Sequence, residues 1–201
     1  MSLRVLGRKT SINVRKVLWT CAELDLHFEH VENDKKLLAR NPNAMVPVID
    51  DAGFVLWESN SICRYLANKQ PRDNMLLPAD PQARGLVEQW MDWQATELNT
   101  AWRYAFLALS RKSAQHADAN AISKSVDSWN EHMRLLDAHI AHSGQFMTGE
   151  FFTLADVVLG LSTQRWLLTP MDKPHLDAVH GYYQRLSVRP AFRAQIDLNV
   201  P

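Results

Sequence analysis

Over the first 70 residues, short apolar runs alternate with polar loops, and one longer run follows helical spacing. Apolar positions recur every three to four residues between Val14 and Leu24, which predicts a helix over 14–24. Short runs rich in β-branched and aromatic residues predict four strands, at 3–7, 27–31, 47–49 and 54–57. The charged segment 33–40 predicts a connection that holds a helical turn.

The last two predicted strands form a hairpin. Asp51-Ala52-Gly53 reads as a three-residue loop, with glycine where positive φ is needed. Glu58 or Ser59 then begins a helix that runs through Lys69. The resulting order, β-α-β-(short helix)-β-β-α, predicts an α/β domain with a mixed sheet.

Beyond this domain, the pattern is helical. Residues 70–82 contain three prolines among polar residues, so we place a linker at 71–82, between a domain at 1–70 and a second one at 83–201. Segments 83–109 and 122–140 are long and amphipathic. Thr153 and Asp156 have the spacing of a capping box, and further helical turns follow at 182–192. The second domain is predicted to be all-helical.

Composition limits the function classes. The chain has 201 residues, 46% of them hydrophobic, which is enough for one large or two small cores. Lys and Arg balance Asp and Glu at 22 each, so nucleic acid and anionic membranes are not expected partners. No apolar run approaches the ~20 residues of a spanning helix, and the N-terminus lacks a signal-peptide core. Two cysteines outside any C-x-x-C pair indicate a reducing, cytoplasmic setting.

Four stretches together resemble the cytosolic glutathione transferases of bacterial type. They read GRKTSINVRKVLW at 7–19, NPNAMVPVIDDAGFVLWESNSICRYLA at 43–67, TGEFFTLADVVLG at 148–160 and YYQRLSVRPAFRA at 182–194. The resemblance implies a thioredoxin-like domain that binds glutathione and a helical domain that lines the pocket for an electrophile. It also implies a homodimer, a role in detoxification and no metal.

The resemblance assigns glutathione-binding roles to residues of the second stretch. It implies a cis bond between Val46 and Pro47, which turns the N–H and C=O of Val46 towards the tripeptide backbone as an added strand would. Ser59, at a helix N-terminus, would bind a carboxylate, and Glu58 would bind the ammonium of the same γ-glutamyl group. The alternative is that Ser59 only caps its helix and Glu58 is a solvated acid.

The first stretch supplies candidates for activating the thiol. Ser11 matches the serine of the family pattern and is the first choice to donate a hydroxyl to the thiolate; Asn13 is the second and Thr10 the third. Each could instead act as an ordinary helix cap. Arg15 would strengthen the positive field or lie on a solvated face. No cysteine occupies this loop, and Cys21 and Cys63 both fall on apolar stripes, which predicts a packing role.

Other assignments are left open. The segment between Val31 and Asn41 is shorter than in most relatives, and Met45 stands where many carry glycine or lysine, so the glycine carboxylate of glutathione lacks an obvious partner. Lys35, Lys36 and Arg40 are the candidates for it. The electrophile pocket is assigned to Trp102, Tyr104, Phe106 and Trp166, with core packing as the alternative for each. His132, His139 and His142 share a helical region without an acid to complete a metal site.

Three functions follow from these assignments. The first is transfer of the glutathione thiolate to a small hydrophobic electrophile. The second is glutathione-dependent disulfide reduction, in which the bound tripeptide supplies the sulfur chemistry. The third is a non-catalytic protein of the same fold that binds an apolar ligand or a partner protein.

Overall fold

The computed structural model describes residues 3–70 and 75–196, and it opens with a four-stranded mixed sheet. Strand order is β2-β1-β3-β4, with β1 parallel to β2 and the other pairs antiparallel. This half comprises β1 (Leu3–Leu6), α1 (Ile12–Glu23), β2 (Phe28–Val31), α2 (Lys35–Leu38), β3 (Val48–Asp51), β4 (Phe54–Trp57) and α3 (Ser59–Asn68). The predicted element order is confirmed.

Strand register gathers several loops at one end of the sheet. Val48 pairs with Leu6 on one side and with Trp57 on the other. The chain therefore leaves β1, enters β3 and leaves β4 at the same end. Because β2 runs parallel to β1, it also ends there, and the amide of Gly7 donates to the carbonyl of Val31 at 2.9 Å. Loops from four strands thus meet at this end.

At the opposite end, the hairpin turn is shorter than the sequence suggested. Asp51 pairs with Phe54, so the predicted three-residue loop is wrong and the turn consists of Ala52 and Gly53. Both have positive φ, 55° and 96°, as a two-residue turn requires when it follows the right-handed twist of its strands. The amide of Gly53 donates to the carboxylate of Asp50 at 2.8 Å, which supports the turn.

The second half is helical throughout. It comprises α4 (Pro81–Trp93), a π-helical turn (Gln94–Leu98), α5 (Asn99–Leu109), a 3₁₀ turn (Ala114–His116), α6 (Ala119–Ser143), α7 (Leu154–Leu168), α8 (Asp177–Ser187) and α9 (Pro190–Ile196). The carboxylate of Asp80 accepts from the amide of Ala83 at 2.8 Å, so α4 begins inside the predicted linker. Residues 71–74 of that linker and 197–201 of the predicted helical domain lie outside the described residues.

One hydrophobic core joins the two halves. Helix α1 packs against α3 on one side and against α7 and α9 on the other. The indole of Trp19 is wholly buried between the rings of Phe152 and Phe192, with centroids 5.4 and 4.2 Å away. A Cβ on Gly160 would lie 3.0 Å from Trp19, so this glycine lets α7 approach α1 closely. These contacts hold α1 between the sheet and the helical half.

The predicted capping box at the start of α7 is confirmed and is part of a larger network. The buried carboxylate of Asp156 accepts from the amides of Met147 and Thr153, from the Thr153 hydroxyl and from the Tyr182 hydroxyl, all at 2.8–3.1 Å. Burial raises the pKa of Asp156 to about 6. Asp156 therefore connects α7, α8 and the loop before α7.

In the part of the chain that the structure describes, no helix is long and apolar enough to span a membrane.

Candidate active site

A cleft of about 570 Å³ opens at the sheet end where the loops meet. It lies between the loop joining β1 to α1 and the segment before β3. Its lining includes Arg8, Ser11, Asn13, Lys35, Met45 and Val46. The structure thus brings both candidate thiol-activating residues, Ser11 and Asn13, together with the backbone segment predicted to bind a peptide.

Ser11 is the N-cap residue of α1, with extended backbone angles, φ −84° and ψ 122°. Its hydroxyl makes no capping hydrogen bond to its helix, so capping does not occupy the side chain. The unpaired amides of the first helical turn and the helix dipole favour an anion at this position. Ser11 is therefore free to donate to a thiolate in the cleft.

The other two candidates in this loop differ in position. Asn13 is half-buried in the first turn of α1 and lines the cleft. Thr10 is exposed and is not among the cleft's lining residues. Asn13 can therefore reach an atom bound beside Ser11, whereas Thr10 does not face the cleft.

Val46 presents its backbone to the cleft. The bond between Val46 and Pro47 is cis. Among the described residues, no backbone hydrogen bond engages the N–H or C=O of Val46. The preceding segment is held by the side chain of Asn41, whose amide donates to the carbonyl of Met45 at 2.8 Å. Val46 thus offers a donor and an acceptor to an extended ligand.

Gly7 also contributes to the site. This role was not predicted from the sequence, where Gly7 was placed only at the end of a strand. Its φ is +141°, and a Cβ there would lie 2.4 Å from a methyl of Val14 and 2.9 Å from the Cβ of Val46. The absence of a side chain therefore lets the two walls of the cleft meet. A glycine directly after an apolar run was the available signal.

We expect Gly7→Ala to weaken glutathione binding and to destabilise the fold, because the added methyl would separate the loop after β1 from Val46. Overpacking of this kind costs about 1–3 kcal/mol, to which the strained φ adds. Urea unfolding and a calorimetric titration with glutathione would measure both effects. Gly85→Ala is the matched control, since a Cβ there has no neighbour within 4 Å. Equal behaviour of the two variants would contradict the assigned role of Gly7.

Glu58 and Ser59 begin α3 at the same end of the sheet, although neither lines the cleft itself. Glu58 is the N-cap residue, with φ 73° and ψ 110°, and its exposed carboxylate makes no capping hydrogen bond. A positive φ in a residue other than glycine costs about 1–3 kcal/mol, and such strain concentrates at functional sites. Ser59 follows with only 6% of its surface exposed, at the helix N-terminus. An acid and an anion-binding helix end are therefore adjacent.

Behind this pair lies a buried lysine that the sequence reading did not single out. The ammonium of Lys16 donates to the side-chain carbonyls of Gln94, at 2.7 Å, and Asn60, at 3.3 Å. Burial lowers the pKa of Lys16 to about 8. Since Asn60 directly follows Ser59, this network connects the start of α3 to α1 and to the π-helical turn.

The candidate cations for a second carboxylate are not equivalent. Lys35 lines the cleft, whereas Lys36 and Arg40 are exposed and are not among its lining residues. Arg8, which the sequence reading passed over, also lines the cleft. Asp34, also in the lining, is engaged with the guanidinium of Arg4 at 3.1 Å. Lys35 and Arg8 are therefore the cations placed to meet an anionic group in the cleft.

The four aromatic candidates of the helical half do not share one surface. Trp102 and Phe106 lie one turn apart on α5 with ring centroids 5.3 Å apart. Tyr104 points elsewhere, with its ring against His116 at 4.9 Å. Trp166 is wholly buried and donates its indole N–H to Asn130 at 2.9 Å. The structure thus brings together Trp102 and Phe106 and leaves Tyr104 and Trp166 apart from them.

The cysteines and histidines are engaged elsewhere. Cys21 and Cys63 are free thiols in the core, and burial raises their pKa values to about 12 and about 11. Ring nitrogens of the three candidate histidines lie 2.7–2.8 Å from backbone carbonyls; these are His132, His139 and His142. Across 3–70 and 75–196, no group of metal-binding side chains is arranged to hold an ion.

Comparison with known proteins places this geometry in a family. The family model described as "Glutathione S-transferase, N-terminal domain" matches residues 6–74. The chain is 34% identical to glutathione S-transferase GstB of Escherichia coli (strain K12), over 96% of this chain and 97% of the relative. It is 28% identical to glutathione S-transferase F10 of Arabidopsis thaliana, over 89% of each chain.

Solved structures give the same result. The theta class glutathione S-transferase of the citrus canker pathogen Xanthomonas axonopodis pv. citri, with glutathione bound, superimposes with a TM-score of 0.88 and 31% identity over 98% of both chains. Glutathione transferase F2 of Populus trichocarpa, at 23% identity and a TM-score of 0.85, shares the fold. The predicted fold class and the resemblance are both confirmed, and the chain belongs to the cytosolic glutathione S-transferase family.

Proposed function

We propose that this protein is a glutathione S-transferase in which Ser11 activates the thiol of bound glutathione for attack on an electrophilic carbon. The observation that carries the proposal is the Ser11 hydroxyl, which lines the cleft at the N-terminus of α1 without a capping bond. The chain's 34% identity to a curated transferase and the glutathione in the Xanthomonas structure support it.

The energetics of activation fit this arrangement. A thiol with a pKa of about 8.5 must lose about two units to be largely ionised at neutral pH, which requires ~2.7 kcal/mol. A helix N-terminus contributes roughly 0.3–2 kcal/mol, and a hydrogen bond to a charged group about 1.5–3 kcal/mol. Neither contribution reaches the requirement reliably alone. Ser11 is the residue at which both act together.

The tripeptide would lie across the end of the sheet. Val46 would pair with its backbone, Glu58 would bind the γ-glutamyl ammonium, and Ser59 would bind the adjacent carboxylate at the start of α3. We assign the glycine carboxylate to Lys35 and Arg8, because both line the cleft, in preference to Arg40 and Lys36, which do not.

The reaction is an addition or a substitution at carbon. The thiolate sulfur forms the new C–S bond, and in a substitution the carbon–halogen bond breaks and the halide leaves with the bonding pair. The helical half, at Trp102 and Phe106, would hold the electrophile beside the thiolate and so make the encounter intramolecular. We further propose a cytoplasmic homodimer that acts in detoxification, on the strength of family membership.

The direct test is a titration with glutathione across pH, in which the ultraviolet absorbance of the thiolate is followed. We expect a saturable complex in which the thiol pKa is about two units below its free value. Binding with an unshifted pKa would contradict thiol activation and favour a binding protein. Turnover of a glutathione mixed disulfide well above that of a chloroaromatic substrate would instead favour disulfide reduction.

Ser59→Ala is expected to weaken glutathione binding about tenfold, because it removes a hydrogen bond to a charged carboxylate. Glu58→Gln should also weaken binding, since it removes the partner of the ammonium. Isothermal titration calorimetry measures both effects. Ser61→Ala is the matched control, since Ser61 is exposed in the same helical turn. Dissociation constants equal to that of the control would refute the γ-glutamyl assignment.

A further inference from the structure

Three arginines converge where α1, α7 and the end of α5 meet. Arg165 of α7 places its guanidinium carbon 4.0 Å from the ring centroid of Phe106 and 4.5 Å from that of Trp102. Arg111, just after α5, lies over the same Phe106 ring at 5.2 Å. The third member is Arg15 of α1, whose charge acts on those of Arg111 and Arg165. We call Arg15, Arg111 and Arg165 the arginine cluster.

No acid among the described residues neutralises the charges of this cluster. Arg15 has no exposed surface, and its Nη1 donates only to uncharged oxygens, at 2.8 Å to Gln164 and 3.4 Å to the Gln195 carbonyl. Its Nε and Nη2, and Nε of Arg165, are buried without a hydrogen-bond partner. Among residues 3–70 and 75–196, no carboxylate forms an ion pair with any member of the cluster.

Burial of this positive charge is costly. Burial, followed by repulsion from Arg111, lowers the pKa of Arg15 to about 10. Burial, followed by repulsion from Arg15 and Arg111, lowers the pKa of Arg165 to about 9. A buried charge without a partner ordinarily destabilises a protein by several kcal/mol. Arg189, a partly exposed arginine of the same chain, does have an acid partner: its guanidinium donates to Glu23 at 2.6 and 2.9 Å. Within the described residues, the cluster therefore lacks an acid partner of the kind that Arg189 has.

The cluster lies next to the proposed thiol site. The amide of Arg15 donates to the carbonyl of Ser11 at 3.0 Å, so the two residues occupy the same face of α1, one turn apart. The four residues from Ser11 to Arg15 correspond to about 6 Å along a helix axis. The rings of Trp102 and Phe106 complete the surroundings, and Arg111 is the exposed member of the cluster, whereas Arg15 and Arg165 are buried.

We infer that the arginine cluster binds a carboxylate of the second substrate, so that the enzyme prefers anionic electrophiles over neutral ones of the same shape. Arg111 and Arg165 would contact the carboxylate, and Arg15 would add positive field from behind. Trp102, whose side chain is partly exposed, would contact the body of the electrophile. This inference rests on the proposed glutathione transferase function and replaces the small hydrophobic electrophile expected from the sequence with an acidic one.

The chemistry of arginine suits this role. A guanidinium binds a carboxylate through two parallel N–H···O bonds, and its charge is retained in an apolar setting better than that of an ammonium. A bound anion would offset the repulsion among the three cations, whereas a neutral substrate would leave it in place. The expected preference is therefore a difference in binding of the electrophile and does not depend on thiol activation.

The test uses a matched pair of substrates, 4-chloro-3-nitrobenzoate and 4-chloro-3-nitrobenzamide. In each, the thiolate attacks the ring carbon that bears chlorine, the C–S bond forms, and chloride leaves with the C–Cl bonding pair. Each kcat/KM is divided by the uncatalysed rate constant with glutathione, which removes the different intrinsic reactivities. We expect the resulting enhancement to be about tenfold larger for the benzoate.

Arg111→Gln should remove most of this preference, because it removes the exposed cation that an incoming carboxylate meets first. We expect the benzoate value to fall about tenfold and the benzamide value to change less than about twofold. Arg111→Lys should retain part of the preference. Arg103→Gln is the matched control, since Arg103 is an exposed arginine of α5 with no contact to the cluster. Arg111 is exposed, so folding of the variant is not at issue.

The outcomes separate the inference from the function on which it rests. Turnover of neither substrate would contradict the proposed transferase function. Equal enhancement of both substrates, unaffected by Arg111→Gln, would overturn the inference alone.

Discussion

Ser11→Ala is expected to reduce kcat/KM for a chloroaromatic substrate by about tenfold or more and to raise the pKa of enzyme-bound glutathione. The reason is local. The Ser11 hydroxyl is the donor at the N-terminus of α1 that is free of capping and lines the cleft, while the helix dipole remains in the variant. Steady-state kinetics and the pH titration of thiolate absorbance would measure the two effects on the same preparation.

The control for this substitution is Thr10→Ala. Thr10 has the same chemistry, is the neighbouring residue and is exposed away from the cleft, so its removal should leave kcat/KM within about twofold. An unchanged rate in Ser11→Ala would transfer the role to Asn13, which lines the same cleft. In that case Asn13→Ala should show the loss in rate and the raised thiol pKa.

The second large effect is expected on stability. Asp156→Ala should lower the free energy of unfolding by about 3–5 kcal/mol, because it leaves buried donors without an acceptor. Its carboxylate accepts four hydrogen bonds, from Met147, Thr153 and Tyr182, and so connects three parts of the helical half. Urea unfolding followed by circular dichroism would measure the loss.

Asp127→Ala provides the comparison, because Asp127 is exposed on α6. A surface acid of this kind should change the free energy of unfolding by less than about 0.5 kcal/mol. A loss below about 1 kcal/mol in Asp156→Ala would mean that the four hydrogen bonds contribute little beyond their exchange with water. Glutathione binding, measured at urea concentrations below the unfolding transition, would show whether the loss of structure is confined to the helical half.

Most of the secondary structure follows from signals that act within a few residues. The apolar spacing between Val14 and Leu24, the glycine of the hairpin and the pair Thr153 and Asp156 each specify local geometry, and each predicted the correct element. The error in the hairpin arose where two types of turn share the same local signal. A two-residue turn and a three-residue loop both place Gly53 at positive φ, and only the pairing of Asp51 across the hairpin decided between them.

The motif residues were also readable from sequence, but only the family resemblance, and no local pattern, indicated that they belong to one site. Ser11, Val46 and Ser59 are far apart in the chain and lie at the same end of the sheet because Val48 pairs with both Leu6 and Trp57. Strand register depends on contacts between segments, which no local pattern specifies. For the same reason the approach of Gly7 to Val46 could not be seen before the fold was known.

The sequence by itself determined the elements, their order, the family and the polar loop at the start of α1. Only the tertiary structure decided that Arg15 and Lys16 of that helix are buried, and that Phe106 but not Tyr104 faces the arginine cluster. The physical reason is that burial depends on distant partners. Arg15 donates to a residue 149 positions away, and without α7 packed against α1 the same guanidinium would simply be solvated.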